Sequence, residues 1–248
     1  MQPHIHLDAS LQASYAILPG DPARVERIAA FLEQPRELGF HREYRSVCGV
    51  WRGVRVLAMS TGMGGPSTAI AVEELRKIGV HTLLRIGSSG ALNAKVGLGD
   101  LLLVQGAVRD DGASRAYVTP GYPAVPDWSV LTACVHSARE NGAPYHVGLV
   151  RSHDSFYIDG QDALNREWSA RGVLGSDMET AALLTVAGLR GMRAGSILNN
   201  VVQWGESTLQ SIGSYAGGEA LTARGERNSI LTALDACALL EAQEARGI

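Results

Sequence analysis

The sequence predicts an α/β fold in which helices cover both faces of a largely parallel or mixed β-sheet. Short apolar runs recur along the chain, and segments with helical spacing of their apolar residues lie between them. Strands that alternate with helices of about 12 residues or more favour such a sheet. The predicted strands cover residues 15–18, 54–59, 82–86, 101–104, 147–150 and 194–198.

Capping residues mark the ends of the predicted helices. Asp21 is suited to cap a helix that has Pro22 at its first position. Gly79 and Gly142 each follow a segment with helical spacing, and a glycine in that place is typical of a helix end. The other predicted helices cover residues 66–78, 127–141, 178–189 and about 227–245.

Residues 203–226 differ from the rest of the chain in composition. They are rich in Gly, Ser and Thr, which predicts a mobile loop or an irregular segment that could act as a lid. No linker and no internal repeat divides the sequence. We therefore expect residues 1–248 to form a single domain.

The charge content predicts an oligomer. Charged residues make up 19% of the chain and hydrophobic residues 46%, whereas about 25% charged residues is typical of soluble proteins. Less surface is therefore solvated than usual, and we expect part of it to be buried between subunits. The net charge is −3 and no basic tract occurs, so we expect no nucleic-acid partner.

The cysteine and histidine patterns argue against a metal or redox centre. Cys48, Cys134 and Cys237 have no CxxC spacing, and the histidines include no HExxH pair. We therefore expect a reduced, cytoplasmic setting and no required cofactor. The sequence begins without a secretory signal pattern, and no stretch approaches the roughly 18 apolar residues of a membrane span. We expect no membrane partner.

Arginines beside glycines and hydroxyl groups form a candidate phosphate site. Gly20 and Arg24 lie where a predicted strand turns into a helix, so free amides and a guanidinium could face one anion. Arg85 and Ser88 lie at the end of a second predicted strand, and Arg42 lies between a His and a Glu. Arg85 carries the most weight, because it lies within an apolar run where an unpaired charge is costly. It needs an anionic partner.

The acidic segment before the predicted helix at residues 178–189 has two interpretations. Asp177 could cap the helix while Glu179 favours its positive end. Alternatively, the Glu179 carboxylate could accept hydrogen bonds from a sugar diol, because it can accept two donors at once. The two interpretations are compatible with each other.

The order of these and other short motifs resembles that of the trimeric and hexameric nucleoside phosphorylases, most closely the bacterial uridine phosphorylases. Each motif is short, but the ordered set is specific and spans nearly the whole chain. The matching segments are residues 20–24, 41–43, 60–67, 69–75, 84–90, 111–114, 154–157 and 178–179. The resemblance implies a single domain with a central mixed, partly barrel-like β-sheet flanked by helices.

The resemblance also implies a role for each candidate site residue. Arg85 and Glu179 would be the catalytic residues, acting through their positions and charges. The implied contacts group by the part of the substrates that they bind. Phosphate would lie against Gly20, Arg24, Arg42, Arg85 and Ser88, ribose against His6, Met178 and Glu179, and the base against Ser89, Gly90, Phe156, Gln161, Val201 and Val202.

The resemblance further implies that each site is shared between two subunits. Arg42 and His6 would come from a neighbouring chain, in a homodimer that assembles into a homohexamer. Glu43, Met63 and Ser67 match positions that bind a monovalent cation, usually potassium, at the dimer interface in some relatives. A Glu and a Ser at an interface can also satisfy each other without an ion.

The residues implied to bind the base depart from the pattern of the uridine phosphorylases at two positions. Ala163 and Trp204 stand where that family has arginines. Purine-type relatives carry a catalytic aspartate near Val202, where this chain has no acid, and the apolar residues there favour a pyrimidine pocket. Either Arg166 or Asn200 would then have to replace the lost donors, or the pocket would accept another base.

The sequence thus predicts phosphorolysis of a nucleoside, with uridine as the first choice. Uridine and inorganic phosphate would yield uracil and ribose 1-phosphate. The alternatives are a purine nucleoside phosphorylase, a phosphate-independent nucleosidase and a nucleoside-binding protein without turnover. A nucleosidase has no need of three phosphate-directed arginines and needs a carboxylate to activate water.

Overall fold

The computed structural model describes residues 1–205 and 220–247. Its strands belong to one mixed sheet, and their bounds follow in chain order. They are β1 (Tyr15–Pro19), β2 (Glu33–His41), β3 (Tyr44–Trp51), β4 (Val54–Met59), β5 (Thr82–Ala91), β6 (Leu101–Asp110), β7 (Tyr145–His153), β8 (Gly175–Asp177) and β9 (Arg193–Val202).

The sheet closes on itself over part of its width. Its strand order is β2-β3-β4-β1-β5-β8-β7-β6-β9, and β5 also pairs with β9. Strands β5, β8, β7, β6 and β9 therefore form a closed ring, and β1, β4, β3 and β2 extend from β5 as an open sheet. The central mixed, partly barrel-like sheet is confirmed.

Helices pack on both sides of this sheet. Buried side chains of two helices, α2 and α6, belong to one hydrophobic cluster. Those of α1, α4 and α7 belong to a second cluster on the opposite side. The helices are α1 (Pro22–Ala29), α2 (Gly65–Lys77), α3 (Gly112–Tyr117), α4 (Trp128–Glu140), α5 (Gln161–Ala170), α6 (Thr180–Leu189) and α7 (Ala220–Glu244). None of the described helices is long and apolar enough to cross a membrane.

The predicted strands are all present, within β1, β4, β5, β6, β7 and β9. Strands β2, β3 and β8 were not predicted, and neither were the short helices α3 and α5. The side chains of β2 are mostly exposed at the edge of the sheet, so it carries no apolar run. Strand β8 has only three residues.

The capping predictions agree with the structure. The Asp21 side chain accepts a hydrogen bond from Ala23 N at the start of α1, and Pro22 is the first residue of that helix. Gly79 and Gly142, which follow α2 and α4, have positive φ of 95° and 62°, the left-handed conformation that glycine adopts readily.

The prediction for the last helix was wrong at its start. Helix α7 begins at Ala220, so residues 220–226 are helical rather than irregular, while residues 206–219 lie outside the described residues. The glycine in this part of the helix has a packing role. A Cβ on Gly225 would lie 2.6 Å from Gly99 O, which means that the helix approaches the neighbouring backbone too closely for a side chain.

Candidate active site

The carboxyl ends of the parallel strands β4, β1 and β5 form one edge of the sheet. The loops that follow β1 and β4 lie against each other, with Gly62 N donating to Gly20 O at 3.1 Å. A Cβ on Gly20 would lie only 3.1 Å from Gly62 O, so a side chain there would push the two loops slightly apart. Ligands of open α/β sheets bind at such an edge.

Arg85 is a buried cation at this edge. It lies on β5 with 4% of its surface exposed. Its Nε donates to Asp177 Oδ2 at 3.1 Å and its Nη2 donates to Glu179 Oε2 at 2.6 Å. Gly87 leaves room for the guanidinium, because a Cβ there would lie 2.8 Å from Arg85 Cζ. The anionic partner that the sequence predicts for Arg85 is present, because two carboxylates of the chain itself, Asp177 and Glu179, accept from the guanidinium.

Glu179 holds two neighbouring elements together. Its Oε2 accepts from Arg85, and its Oε1 accepts from the backbone N of Gly64 at 2.6 Å, next to the start of α2. Burial raises the pKa of this carboxyl, and the nearby Arg85 opposes the rise. The carboxylate is therefore fixed in position by a donor on each oxygen.

Asp177 was not predicted to contact Arg85. Its Oδ2 accepts from the Thr180 backbone N at 2.9 Å and from Thr180 Oγ1 at 2.6 Å, at the start of α6. The N-cap residue of α6 is Glu179 rather than Asp177, but the Asp177 carboxylate accepts from the first backbone N of the helix and also holds the Arg85 guanidinium. Both interpretations of the acidic segment are compatible with this geometry.

Arg24 lies beside Arg85 across the ends of β1 and β5. Pro19 of β1 is in register with Ile86 of β5, and Arg24 Nη1 donates to Ile86 O at 3.3 Å. The Arg24 Nε donates to Glu226 Oε2 at 2.8 Å, an α7 partner that sequence patterns did not identify. Gly20, Arg24, Arg85 and the half-buried Ser88 thus belong to one edge of the sheet.

His6 and Arg42 lie together elsewhere on the surface. The His6 ring stacks on His41 with centroids 3.6 Å apart. Arg42 follows His41 in the exposed turn between β2 and β3, with a φ of 54°. Neither side chain forms a hydrogen bond with Arg85 or Glu179 in the described parts of this chain.

Two of the three residues matched to a cation site, Glu43 and Ser67, lie beside the same glycine. A Cβ on Gly62 would lie 2.8 Å from Glu43 Cγ and 3.6 Å from Ser67 Oγ, so these two side chains flank one glycine. Ser67 Oγ donates to Met63 O at 3.4 Å, and Met63 itself is exposed. The geometry is compatible with an ion and equally with a direct Glu–Ser contact across an interface.

Comparison with known proteins decides the family. The family model of the phosphorylase superfamily matches residues 14–206 of the chain. The chain belongs to the phosphorylase superfamily.

Relatives in this superfamily carry two different names. The chain is 43% identical over 209 residues to a uridine phosphorylase from Thermococcus kodakarensis, covering 79% of this chain and 76% of that one. It is 40% identical over 196 residues to a guanosine phosphorylase from Halorubrum lacusprofundi, covering 79% and 81%. The crystal structure of a uridine phosphorylase from Vibrio fischeri superposes with a TM-score of 0.89 at 42% identity, covering 96% and 97%.

The candidate base side of this phosphorylase contains buried groups without hydrogen-bond partners. Ser89 Oγ and Gln161 Oε1 have none in the described parts of the chain, while Gln161 Nε2 donates to Asn165 Oδ1 at 3.0 Å. Phe156 is half-buried and meets Tyr157 edge to face. The remaining candidates are Gly90 and Met178, which are half-buried, and Val201 and Val202, which are buried.

The two residues expected to replace the lost donors differ in burial and in bonding. Ala163 and Arg166 are exposed on α5. Asn200 is buried, and one N–H of its Nδ2 donates to Gly97 O at 2.9 Å, while its Oδ1 has no partner in the described parts of the chain. Trp204 is half-buried and packs against the hydrophobic core. The replacement of the lost donors by Arg166 or Asn200 therefore stays a prediction.

Proposed function

We propose that the protein catalyses the phosphorolysis of nucleosides, with uridine and phosphate giving uracil and ribose 1-phosphate. The observation that carries the proposal is the buried Arg85, held between Asp177 and Glu179 beside Gly20 and Arg24. The uridine phosphorylase relatives support uridine as the first substrate.

The reaction would be an in-line displacement at the anomeric carbon by a phosphate oxygen. Arg24 and Arg85 position the phosphate, because guanidinium groups match its oxygens with several donors. Within the described residues Arg85 Nη1 forms no hydrogen bond, so this N–H is available to phosphate. The Glu179 carboxylate accepts from the ribose hydroxyls. Catalysis then rests on orientation and on charge stabilisation as the base leaves.

A 6-oxopurine nucleoside is the second candidate substrate. The guanosine phosphorylase from Halorubrum lacusprofundi is 40% identical to this chain, nearly as similar as the uridine phosphorylases. The base-side departures at Ala163 and Trp204 leave room for this alternative.

The test is a panel of uridine, thymidine, inosine, guanosine and adenosine, each assayed with and without phosphate. We expect release of base from uridine that depends on phosphate and produces ribose 1-phosphate in equal amount. Release that is independent of phosphate would instead indicate a nucleosidase. Tight nucleoside binding without release would indicate a binding protein, and a strong preference for guanosine would replace uridine as the substrate.

We also propose that each site is shared between two subunits of a cytoplasmic homodimer, which assembles further into a hexamer. The support is that His6 and Arg42, both assigned to a neighbour's site, lie together on one exposed surface of the chain. A potassium ion between subunits at Glu43, Met63 and Ser67 remains part of this proposal.

Mixing two inactive variants tests the shared site. Arg42→Ala and Arg85→Ala damage different halves of a shared site, so one of the two sites in a mixed dimer is intact. After refolding or subunit exchange of an equimolar mixture, we expect about one quarter of the wild-type rate. An equimolar mixture of Arg85→Ala and Glu179→Ala is the control and should stay inactive, because both changes lie in the same half. A mixture of the first pair that stays inactive despite measured exchange would contradict the shared site.

A further inference from the structure

Arg151 is a buried cation that the proposed mechanism does not use. It lies on β7 with 2% of its surface exposed. Its Nε donates to Asp110 Oδ2 at 2.8 Å and its Nη2 lies 2.7 Å from the same oxygen. The third nitrogen, Nη1, is buried and has no partner in the described parts of the chain. A buried N–H of a charged group without a partner is costly, so such an atom calls for an acceptor.

The sheet register places Arg151 in a row with the candidate base residues. Arg151 pairs with Ser176 across β7 and β8, Ser176 pairs with Gly90 across β8 and β5, and Gly90 pairs with Val202 across β5 and β9. Residues paired in register lie on the same face of a sheet. A Cβ on Gly90 would lie 3.9 Å from Ser176 Oγ and 3.7 Å from Val202 Cβ. Arg151 therefore shares a face with Gly90 and Val202.

His153 adds an acceptor to the same face, because residues two apart on a strand point to one side. Its Nδ1 lies 3.0 Å from Ser155 O. A carbonyl oxygen only accepts, so Nδ1 carries the hydrogen and Nε2 of the neutral ring is an acceptor. Burial, together with the charge of Arg151, lowers the pKa of His153 and favours this neutral form. Within the described residues Nε2 forms no hydrogen bond.

We propose that Arg151 and His153 select the base, with Arg151 Nη1 donating to a base carbonyl and His153 Nε2 accepting from the adjacent ring N–H. The inference rests on the proposed function, since it concerns the base half of that site. A neighbouring donor and acceptor are complementary to a lactam edge, which uracil, hypoxanthine and guanine share. Cytosine and adenine present an amino group beside an unprotonated ring nitrogen, the reverse arrangement. The Arg151 guanidinium then replaces the arginines expected at Ala163 and Trp204.

Equilibrium binding in the absence of phosphate tests this without relying on turnover. Uridine against cytidine, and inosine against adenosine, are two pairs that differ mainly in this edge. Within the pair that the wild type accepts, we expect it to bind the nucleoside with the lactam edge, uridine or inosine, at least about tenfold more tightly than the other nucleoside. Arg151→Met should reduce this ratio of binding affinities to less than about threefold, because the fixed donor at Arg151 Nη1 is lost.

Arg115→Ala is the matched control. Arg115 pairs with the same carboxylate, through Asp110 Oδ1 at 3.2 Å, but its side chain is exposed. It should keep the wild-type ratio. Arg151→Lys provides a second variant in case Arg151→Met does not fold, because it keeps a charge beside Asp110 and lacks the planar fork. It should also lower the ratio.

Three results would overturn the assignment. They are a wild type that does not prefer the lactam member, an Arg151 variant that keeps the preference, and an Arg115→Ala protein that loses it equally. A bound water would then be the partner of Nη1. If the ratio collapses as expected while no nucleoside undergoes phosphorolysis, the proposed function fails and the base-selecting role of Arg151 stands.

Discussion

Arg85→Ala should lower kcat/KM for phosphate about 10³-fold, because the attacking phosphate loses a buried charged donor that binds and orients it. Arg85 lies on β5 in register with Leu18 of β1, the strand that leads into Gly20 and Arg24, and within the described residues its Nη1 is the N–H left for a ligand. Steady-state kinetics with phosphate as the varied substrate measure the effect. A loss of less than threefold, or about 0.7 kcal/mol, would mean that the phosphate site is elsewhere.

The same change should also destabilise the fold, and the two effects must be separated. Asp177 and Glu179 would keep two buried carboxylates without their cation, which costs about 3 to 5 kcal/mol when one partner of a buried pair is removed. Arg85→Lys keeps a charge there and should recover most of the stability but little of the activity, because it lacks the planar fork. Denaturant unfolding of both variants distinguishes the two effects.

Arg190→Ala is the control for Arg85→Ala. Arg190 Nη2 lies 2.7 Å from Glu73 Oε1, so this pair also joins an arginine to a glutamate, but outside the proposed site. Since its side chains are partly exposed, we expect a small loss of stability and no change in kcat/KM for phosphate. A large activity loss in this variant would show that the kinetic effect reports general damage.

The importance of Arg85 could be predicted from sequence because its signal is local. A charge within an apolar run is costly, and that alone demands a partner. The identity of the partner could not be predicted in this way, since Asp177 is 92 positions further along the chain. Glu226, the partner of Arg24, is 202 positions away and lies in a segment whose composition predicted no helix. The pairing of β8 with β5 brings Asp177 to Arg85, and the packing of α7 brings Glu226 to Arg24.

Arg151 shows a different limit of the sequence patterns. It directly follows the predicted strand at residues 147–150, so a polar residue at a strand end could have been noticed. Its importance depends on which of its nitrogens are already bonded. That in turn depends on Asp110, 41 positions earlier, and on the register that places Arg151 beside Gly90. Sequence patterns alone therefore favoured Arg166 or Asn200 as replacement donors, and of these Arg166 is exposed.

Glu179→Gln should lower kcat/KM for uridine about 10²-fold, because an ionised acceptor of the ribose hydroxyls is lost and each such hydrogen bond is worth about 1.5 to 3 kcal/mol. The amide also places an NH₂ against either Gly64 N or Arg85 Nη2, both of which donate to the carboxylate. For 2′-deoxyuridine one hydroxyl is absent, so the loss should be smaller, about tenfold. Equal losses for both nucleosides would argue against the diol contact. Glu73→Gln, outside the proposed site, is the control.

The pH dependence of the unfolding free energy, compared between the wild type and the Glu179→Gln variant, gives an independent measurement. Burial raises the pKa of Glu179 above its ordinary value of 4.5, so the folded protein holds this proton more tightly than the unfolded chain does. Stability from the neutral carboxyl is therefore full below pH 4.5 and is lost as the pH rises through the raised pKa. The Gln variant has no such group, so the unfolding free energy of the wild type should fall relative to that of the variant over this range. Over the same range kcat/KM of the wild type should rise, since only the ionised carboxylate accepts from both hydroxyls. A difference in unfolding free energy that stays constant with pH would contradict the raised pKa.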